Sequence, residues 1–450
     1  MPKNNYLLRA TLGVALLGTA PISQALDPVG GVAAGALLGW TVVSMEEEDA
    51  NVDVRGKVGL ETRLFFEEPA YAGQKEHNAS VSGEGNLFVP VGGGYNGITF
   101  SIFGREDSAD PNRSHIDIRE LNYLHVASDW ELRAGLGKTF WGVTEGQHLV
   151  DIVNQSDLVE NIDGEDKLGQ PMIHLTLLQF PDYGVVNVFA LPGFRERTFP
   201  GEKGRLRFPL VVDDSLTEYE ATNGDRHTDL AVRWSHTIDV YDIGISHFWG
   251  TSRDPVLTPA SFEQPNPTAA PQPTALAPYY PIINQTGVDL QASLEGWLLK
   301  MEVISREGAI EYQTLPNGDI EYLDERYTAL VGGFEYTLYG ILDSSKDLGL
   351  IMEWNFDDRH KNAPTTFQND VLFGTRWVFN DIDSSEILFG IVQDMDYGST
   401  TLSLEANTRL SPHVTIEVEG RGFVSIDDRD VNAKAFEKDS FVQASLEYHF

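Results

Sequence analysis

Hydrophobic and polar residues alternate one by one through much of the chain. The last ten residues, FVQASLEYHF, place five apolar side chains on one parity: Val442, Ala444, Leu446, Tyr448 and Phe450. Residues two apart point to the same face of a β-strand, so this segment predicts a strand with one apolar and one polar face. Residues 52–66, VDVRGKVGLETRLFF, repeat the pattern over a length that strands of soluble sheets seldom reach.

The same alternation recurs along the chain and predicts about 18 strands, with a range of 16 to 20. They fall at 52–66, 79–89, 98–105, 116–126, 130–140, 172–178, 185–194, 229–236, 241–249, 288–298, 300–306, 328–336, 348–356, 371–379, 387–393, 401–410, 414–424 and 441–450. An even number of strands puts both ends of a barrel wall on the same side of a membrane. A β-sandwich or propeller would also alternate, but no repeat of blade length is present.

The connections between these strands alternate in length. Short turns are predicted at 127–129, 237–239, 296–299, 380–385 and 411–413. Long links are predicted at 67–78, 142–171, 195–226, 250–286, 307–327 and 357–369. The link 250–286 holds eight of the 22 prolines, which argues against a β-ladder there. Short turns on one side and long loops on the other are typical of membrane β-barrels.

Composition narrows the class of protein. With 32 Lys+Arg against 68 Asp+Glu, the chain lacks the basic surface that nucleic-acid binding needs. The absence of cysteine excludes disulfides and thiolate chemistry. Residues 1–25 have the basic, apolar and small-residue regions of a signal peptide, and 26–51 are predicted to be a mobile N-terminal segment. The apolar stretch 29–43 is shorter than a spanning helix, and a membrane anchor or a plug for the barrel remain alternatives for it.

These features together resemble Gram-negative outer-membrane β-barrel proteins of porin type. The leader, the alternation, the acidity and the terminal aromatic Phe450 carry the resemblance, over residues 52–450. It implies an all-β fold, a single transmembrane antiparallel β-barrel with short periplasmic turns and long extracellular loops. It also implies insertion by the outer-membrane assembly machinery, which would read the C-terminal strand.

The polar parity of a barrel this size faces a lumen, and about a third of the basic residues fall on it. Rows of opposite charge there would filter solutes; alternatively, the same residues pair with one another and solvate the wall. The predicted pore-lining residues are Arg55, Arg63, Arg105, Arg119, Arg133, Arg233, Arg306, Arg376, Arg409, Arg421, Glu131, Glu295, Glu353 and Glu419.

Residues 142–170 form the most distinctive link and are predicted to fold inward as a constriction. Leu149, Ile152 and Val153 share one face of a short amphipathic helix, if one forms. The residues predicted to border the passage are Gln147, Asp151, Asn154, Asp157 and Glu160. The acidic run 163–166 could bind Ca²⁺, although it lacks the spacing of a known calcium loop. A basic cluster opens the next long link, and three interpretations of it are open: it attracts anions, it binds lipopolysaccharide phosphates, or it is a solvated loop. Its members are Arg195, Arg197, Lys203, Arg205 and Arg207.

The prediction is a porin-like channel for passive diffusion of small hydrophilic solutes, without a cofactor or a metal. Its predicted partners are outer-membrane lipid, lipopolysaccharide and the assembly machinery, with a homo-oligomer left open. The alternatives are a plugged structural or adhesion barrel, a transporter of apolar compounds, and a barrel enzyme. None of the 11 histidines stands in a recognisable catalytic context, so no catalytic residue is predicted.

Overall fold

In the computed structural model the chain forms a closed antiparallel β-barrel of 18 strands. The structure describes residues 52–92, 95–178, 181–266, 271–314 and 320–450. The predicted signal peptide and the predicted mobile segment 26–51 lie outside the described residues. The strand number and the antiparallel closure confirm the fold class predicted from the alternation.

Twenty-two strands are present: β1 Asp53–Phe65, β2 His77–Pro90, β3 Gly97–Asp107, β4 His115–Val126, β5 Trp130–Gly137, β6 Gln170–Leu177, β7 Val185–Pro192, β8 Val211–Val212, β9 Glu218–Tyr219, β10 Thr228–Ile238, β11 Tyr241–Thr251, β12 Val256–Glu263, β13 Gln272–Tyr280, β14 Ile282–Leu294, β15 Trp297–Thr314, β16 Ile320–Leu338, β17 Asp347–Asp357, β18 Asn369–Val378, β19 Glu386–Asp394, β20 Thr400–Ser411, β21 Val414–Ser425 and β22 Phe441–His449. The barrel uses all of them except β8, β9, β12 and β13, which form a separate small sheet.

Helical structure in the described residues is limited to α1 Val431–Lys434 and to short 3₁₀ turns. These turns are Pro111–Arg113, Pro181–Tyr183, Asp214–Leu216, Gly224–Arg226, Ile341–Asp343 and His360–Asn362. None of the described helices is long and apolar enough to cross a bilayer.

The barrel closes where its first strand pairs with its last. Lys57 lies opposite His449 and Phe65 opposite Phe441 in an antiparallel register. Gly56 and Phe450 exchange two backbone hydrogen bonds of 3.0 Å, so the terminal residue completes the ladder. The Phe450 ring lies over Gly56, where an added Cβ would sit 2.5 Å from a ring atom. Closure leaves no open sheet edge, which is the condition for a β-sheet in lipid.

The apolar parity of each strand points outward. Val54, Leu60, Leu64, Ile173 and Phe373 expose between 46% and 63% of their surface. Exposed aromatic residues lie toward the strand ends, among them Tyr241, Trp249, Trp297, Trp354, Trp377 and Tyr448. Such an apolar band suits the hydrocarbon core of a bilayer, and the aromatic rings at its borders suit the two membrane–water interfaces.

A charge placed on this outer face should destabilise the barrel. Leu60 lies mid-strand between Val81 and Leu446. Replacing it by arginine is expected to cost about 2–4 kcal/mol of folding free energy, measured by denaturant unfolding in phospholipid vesicles. Its control is Ser445→Arg, which places the same charge on the lumen face next to Leu446 in the chain. Equal losses in the two variants would contradict the orientation of the strands.

The connections follow the predicted alternation, with three corrections. Residues 288–298 are not one strand, because a two-residue turn at Glu295 and Gly296 separates β14 from β15. The predicted long link 307–327 is mostly strand, since β15 runs to Thr314 and β16 begins at Ile320. The proline-rich link does contain a ladder, the β12–β13 hairpin. Its prolines are tolerated because this short hairpin stands outside the continuous wall, where strands can lack a ladder donor.

Candidate functional site

The link between β5 and β6, residues 138–169, lies inside the barrel, and we call it the constriction loop. Its side chains Val150, Ile152 and Val153 are 0–2% exposed. They pack with Trp141 against lumen-facing side chains of the wall, which include Met172, Phe189, Leu191, Phe248, Ile283 and Ile304. The lumen beside β6–β15 is therefore filled by an apolar core rather than by water. Burial of this surface holds the loop against that side of the wall.

Two wall carboxylates bind the backbone of the constriction loop. Glu302 on β15 accepts from the amides of Val143 at 2.7 Å and Thr144 at 3.1 Å, and from Val150 at 3.2 Å. Glu353 on β17 accepts from the amides of Glu145 and Gly146, each at 2.8 Å. Both carboxylates are buried. Charge-assisted bonds of this kind are stronger than neutral ones, so they fix residues 143–150 at the wall opposite the loop's root.

Arginines of the wall bind the other end of the loop. Arg105 on β3 donates to both oxygens of Glu160, at 2.9 and 3.1 Å. Arg119 on β4 pairs with Asp157 at 2.7 Å. Arg113, in the link between β3 and β4, donates to the backbone oxygens of Val159 and Glu160. The loop is thus attached to walls on both sides of the lumen.

Two further wall arginines, on β18 and β21, form ion pairs with carboxylates of the constriction loop. Arg376 on β18 lies within 3.5 Å of three carboxylates: Glu145 of the loop, Glu335 and Glu386. Arg421 on β21 has the same environment, with Asp163 of the loop, Glu405 and Glu419 within 3.2 Å. Each guanidinium therefore has three negative neighbours in contact.

His148 provides a positive charge within the loop itself. Its Nε2 lies 3.0 Å from Glu165, and its Nδ1 lies 4.0 Å from Glu302. Burial alone would lower the pKa of His148, but the negative charges of these two carboxylates, with Glu165 in hydrogen-bond contact, raise it to about 10. The imidazole is therefore charged at neutral pH. Its stabilising effect is complete below pH 6.5 and is lost as the pH rises through about 10.

The other predicted lumen arginines lie on the inner face, mostly with partners. Arg233 makes a bidentate pair with Asp289 at 2.6 and 2.8 Å and lies over the Trp141 ring. Arg306 donates to Gln285 and pairs with Asp254 at 3.0 Å. Arg63 is buried and donates to Gln443 at 2.8 Å.

Four predicted residues are less constrained. Arg55 is exposed near the start of β1 and pairs with Asp53, Arg409 is exposed on β20, and Arg133 and Glu131 are half-buried on β5. Glu295 does not lie on the wall, because it occupies the β14–β15 turn with a φ of 54°. A pore-lining role for the residues on the wall remains a prediction.

The five predicted border residues all lie in the constriction loop, but most of them face protein. Asp157 and Asn154 are buried, and Asn154 bridges the backbone of Gly137 and Leu168. Burial raises the pKa of Asp151, although Lys167 lies 3.1 Å away and opposes this. Gln147 is half-buried. The short amphipathic helix considered for the segment around Leu149 and Val153 is not present. Hydrogen bonds to wall side chains, such as that from the Val150 amide to Glu302, hold this backbone in an irregular conformation.

Two further expectations concern the basic cluster and the acidic run. In the basic cluster, Arg205 pairs with Asp439, Arg197 with Asp254 and Arg195 with Asp117, whereas Lys203 is exposed. Three of the five basic residues in the cluster therefore form ion pairs with other parts of the chain. In the acidic run, Asp163 and Glu165 pair with Arg421 and His148.

Sequence reasoning missed several residues that hold the site together. Arg113 and Arg253 lie in links, where no alternation indicates the direction of a side chain. Glu302 lies on a strand, but alternation along a strand does not show that a side chain accepts hydrogen bonds from the backbone of a distant loop. The sequence did hold a weak signal for these arginines. Basic residues are scarce in this chain, and an arginine that is buried needs a carboxylate partner, so each arginine was a candidate for a structural ion pair.

Comparison with known proteins finds likeness in structure only. No family model matches the sequence, and no curated protein matches it. A triple mutant of the Rhodopseudomonas blastica porin is similar to the chain with a TM-score of 0.39 and 9% identity, over 89% of this chain and 100% of that one. OprB of Pseudomonas putida, in a high-pH structure, has a TM-score of 0.44 and 10% identity, over 89% and 94% of the two chains.

Proposed function

We propose that the protein is an outer-membrane channel for passive diffusion of small hydrophilic solutes past a charged constriction. One observation carries the proposal: the constriction loop crosses the lumen of a closed barrel whose outer face is apolar. An apolar exterior suits lipid, and a charged interior suits water and polar solutes. The process has no chemical step and needs no cofactor.

The arrangement of the chain ends and loops supports an orientation and a set of partners. Both ends of the wall lie at the short-turn end, which we assign to the periplasm of a Gram-negative bacterium. The long loops then face outward, next to lipopolysaccharide, and Lys203 is an exposed cation among them. The pairing of Phe450 with Gly56 supports a role for the C-terminal strand in insertion by the assembly machinery.

A plugged structural barrel is the second candidate. The apolar core around Trp141 and Val150 fills part of the lumen, as a plug would. The inner wall of β19–β22 and β1–β2 carries a buried apolar cluster at its loop end, formed by Phe65, Phe441 and Leu206. Between this cluster and the short turns, several small or half-exposed side chains face inward: Gly390, Ser403, Asn407, Ser445, Gly59 and Ser82. This sector is where we place the passage.

Single-channel recording separates the two candidates. Purified protein added to a planar bilayer in 1 M KCl is expected to give discrete, reproducible conductance steps. A variant with aromatic side chains at two small positions of the open sector, Ser403→Trp and Ser445→Trp, should insert normally but conduct less. The matched control is Ser235→Trp, on the β10 inner wall outside this sector. Folded protein without conductance steps would favour the plugged barrel.

A further inference from the structure

We propose that the passage prefers small hydrophilic cations to anions, with Glu386 and Glu405 as the residues that set this preference. The inference rests on the proposed channel and adds the class of solute to it. It concerns the border between the constriction loop and the β18–β21 wall. There, loop side chains meet partly exposed wall side chains rather than the apolar core.

The arginines that would attract anions at this border are outnumbered by their own partners. Arg376 contacts Glu145, Glu335 and Glu386, with N–O distances from 2.6 to 3.5 Å. Lys300 lies 3.4 Å from Glu145, so two cations meet three carboxylates and the group remains net negative. A solute anion arriving at Arg376 would have to displace a carboxylate that is already bonded to it.

Arg421 repeats the arrangement on the neighbouring side of the border. It contacts Glu405 at 2.9 Å, and Asp163 and Glu419 at 3.2 Å each. Its side chain is 15% exposed, whereas that of Glu405 is 50% exposed. Water in the passage therefore meets the carboxylate more than the guanidinium, and Glu386 is likewise more exposed than Arg376.

The loop adds further negative charge beside the proposed passage. Residues 138–169 contain seven Asp and Glu against two Lys, no Arg and the charged His148, so the loop is net negative. The turn of the loop exposes Asp163, Glu165 and Asp166. Glu165 bonds His148, yet its side chain remains 57% exposed. Carboxylates thus face the passage from the loop as well as from the wall.

The remaining lumen arginines do not reverse this balance. Arg105, Arg119 and Arg233 are each bonded to carboxylates and are largely buried. Arg409 is an exposed cation on β20, and Glu417 is an exposed carboxylate on the adjacent strand β21. At physiological salt, charges act over about 8 Å, so exposed carboxylates on two sides of a narrow gap reinforce each other.

Reversal potentials in a KCl gradient test the proposal. The wild-type channel is expected to reverse toward the potassium potential, with a cation preference larger in 0.1 M than in 1 M salt, because the screening length falls from about 10 Å to about 3 Å. The double variant Glu386→Gln and Glu405→Gln should lower the potassium-to-chloride permeability ratio by roughly two- to fivefold. Arg421→Gln should raise that ratio. Glu311→Gln, on the β15–β16 hairpin above the wall, is the matched control and should not change it.

The outcomes separate this inference from the proposed function. Absence of conductance in wild-type protein would overturn both. Clear conductance with anion preference in the wild type would overturn the inference alone. So would a double variant that conducts with an unchanged permeability ratio, or an effect of Glu311→Gln as large as that of the double variant.

Discussion

Replacing Glu302 by leucine is expected to release residues 143–150 of the constriction loop from the wall. The change keeps the side chain's bulk but leaves the buried amides of Val143, Thr144 and Val150 without acceptors. Each such donor costs about 1–3 kcal/mol, so the loop should lose several kcal/mol of local stability while the wall stays intact. Single-channel recordings should show higher and noisier conductance, and hydrogen exchange at the three amides should accelerate.

A matched variant and a conservative variant make this test specific. Glu417→Leu removes a lumen-facing carboxylate that forms no hydrogen bond or ion pair with the loop in the part of the chain that the structure describes, and it should leave amide exchange in the loop unchanged. Glu302→Gln retains one acceptor oxygen and should fall between wild type and Glu302→Leu. If Glu302→Leu left the three amides as protected as in wild type, the anchoring role of this carboxylate would be refuted.

Replacing Arg253 by alanine is expected to give the largest loss of overall stability. The guanidinium is 3% exposed and donates to Asp229 at 2.6 Å and to the backbone oxygen of Val153 at 2.9 and 3.0 Å. It also lies over the rings of Phe194 and Phe248. Removing one partner of a buried ion pair costs about 3–5 kcal/mol, because the other charge is left buried. Denaturant unfolding in vesicles measures this loss.

The exposed pair Arg326–Glu307 gives the comparison for Arg253. Its side chains are 69% and 54% exposed and 2.9 Å apart, so Arg326→Ala should cost less than about 1 kcal/mol. Combining Arg253→Met with Asp229→Asn removes both charges, and it should recover part of the loss seen with Arg253→Ala. Similar losses for Arg253→Ala and Arg326→Ala would show that the buried pair contributes no more than a surface one.

The barrel wall could be predicted because its pattern is local. Lipid outside and polar side chains inside impose a two-residue period on each strand, as in β1 and β22, and this period can be read without knowing any partner strand. The ends of the strands were harder to predict from the sequence. Glu295 and Gly296 continue the alternation of β14, so the turn between β14 and β15 was predicted at 296–299 rather than at its actual position, 295–296. The β15–β16 hairpin extends beyond its neighbours, where pairing rather than lipid maintains the strands.

The site was predictable only in outline. The length and position of residues 142–170 indicated an inward loop, since such links are rare inside compact folds and tend to be functional. Its path depended on partners remote in sequence, as with Thr144 and Glu302, which are 158 residues apart. Nor could alternation show that Arg376 and Arg421 each contact three carboxylates. Such environments arise where three or four separate chain segments meet in space.

The pairing of β1 with β22 also constrains the order of events during biogenesis. The first wall strand begins at Asp53 and its second partner, β22, begins at Phe441, so the other wall strands are all synthesised before the second edge of β1 is covered. Any half-built intermediate exposes two rows of unpaired amide and carbonyl groups. Hydrocarbon does not tolerate such rows, and in water they invite aggregation. Because β22 covers the second edge of β1, loss of the β1–β22 pairing would reopen the 18-stranded barrel and expose both edges at once.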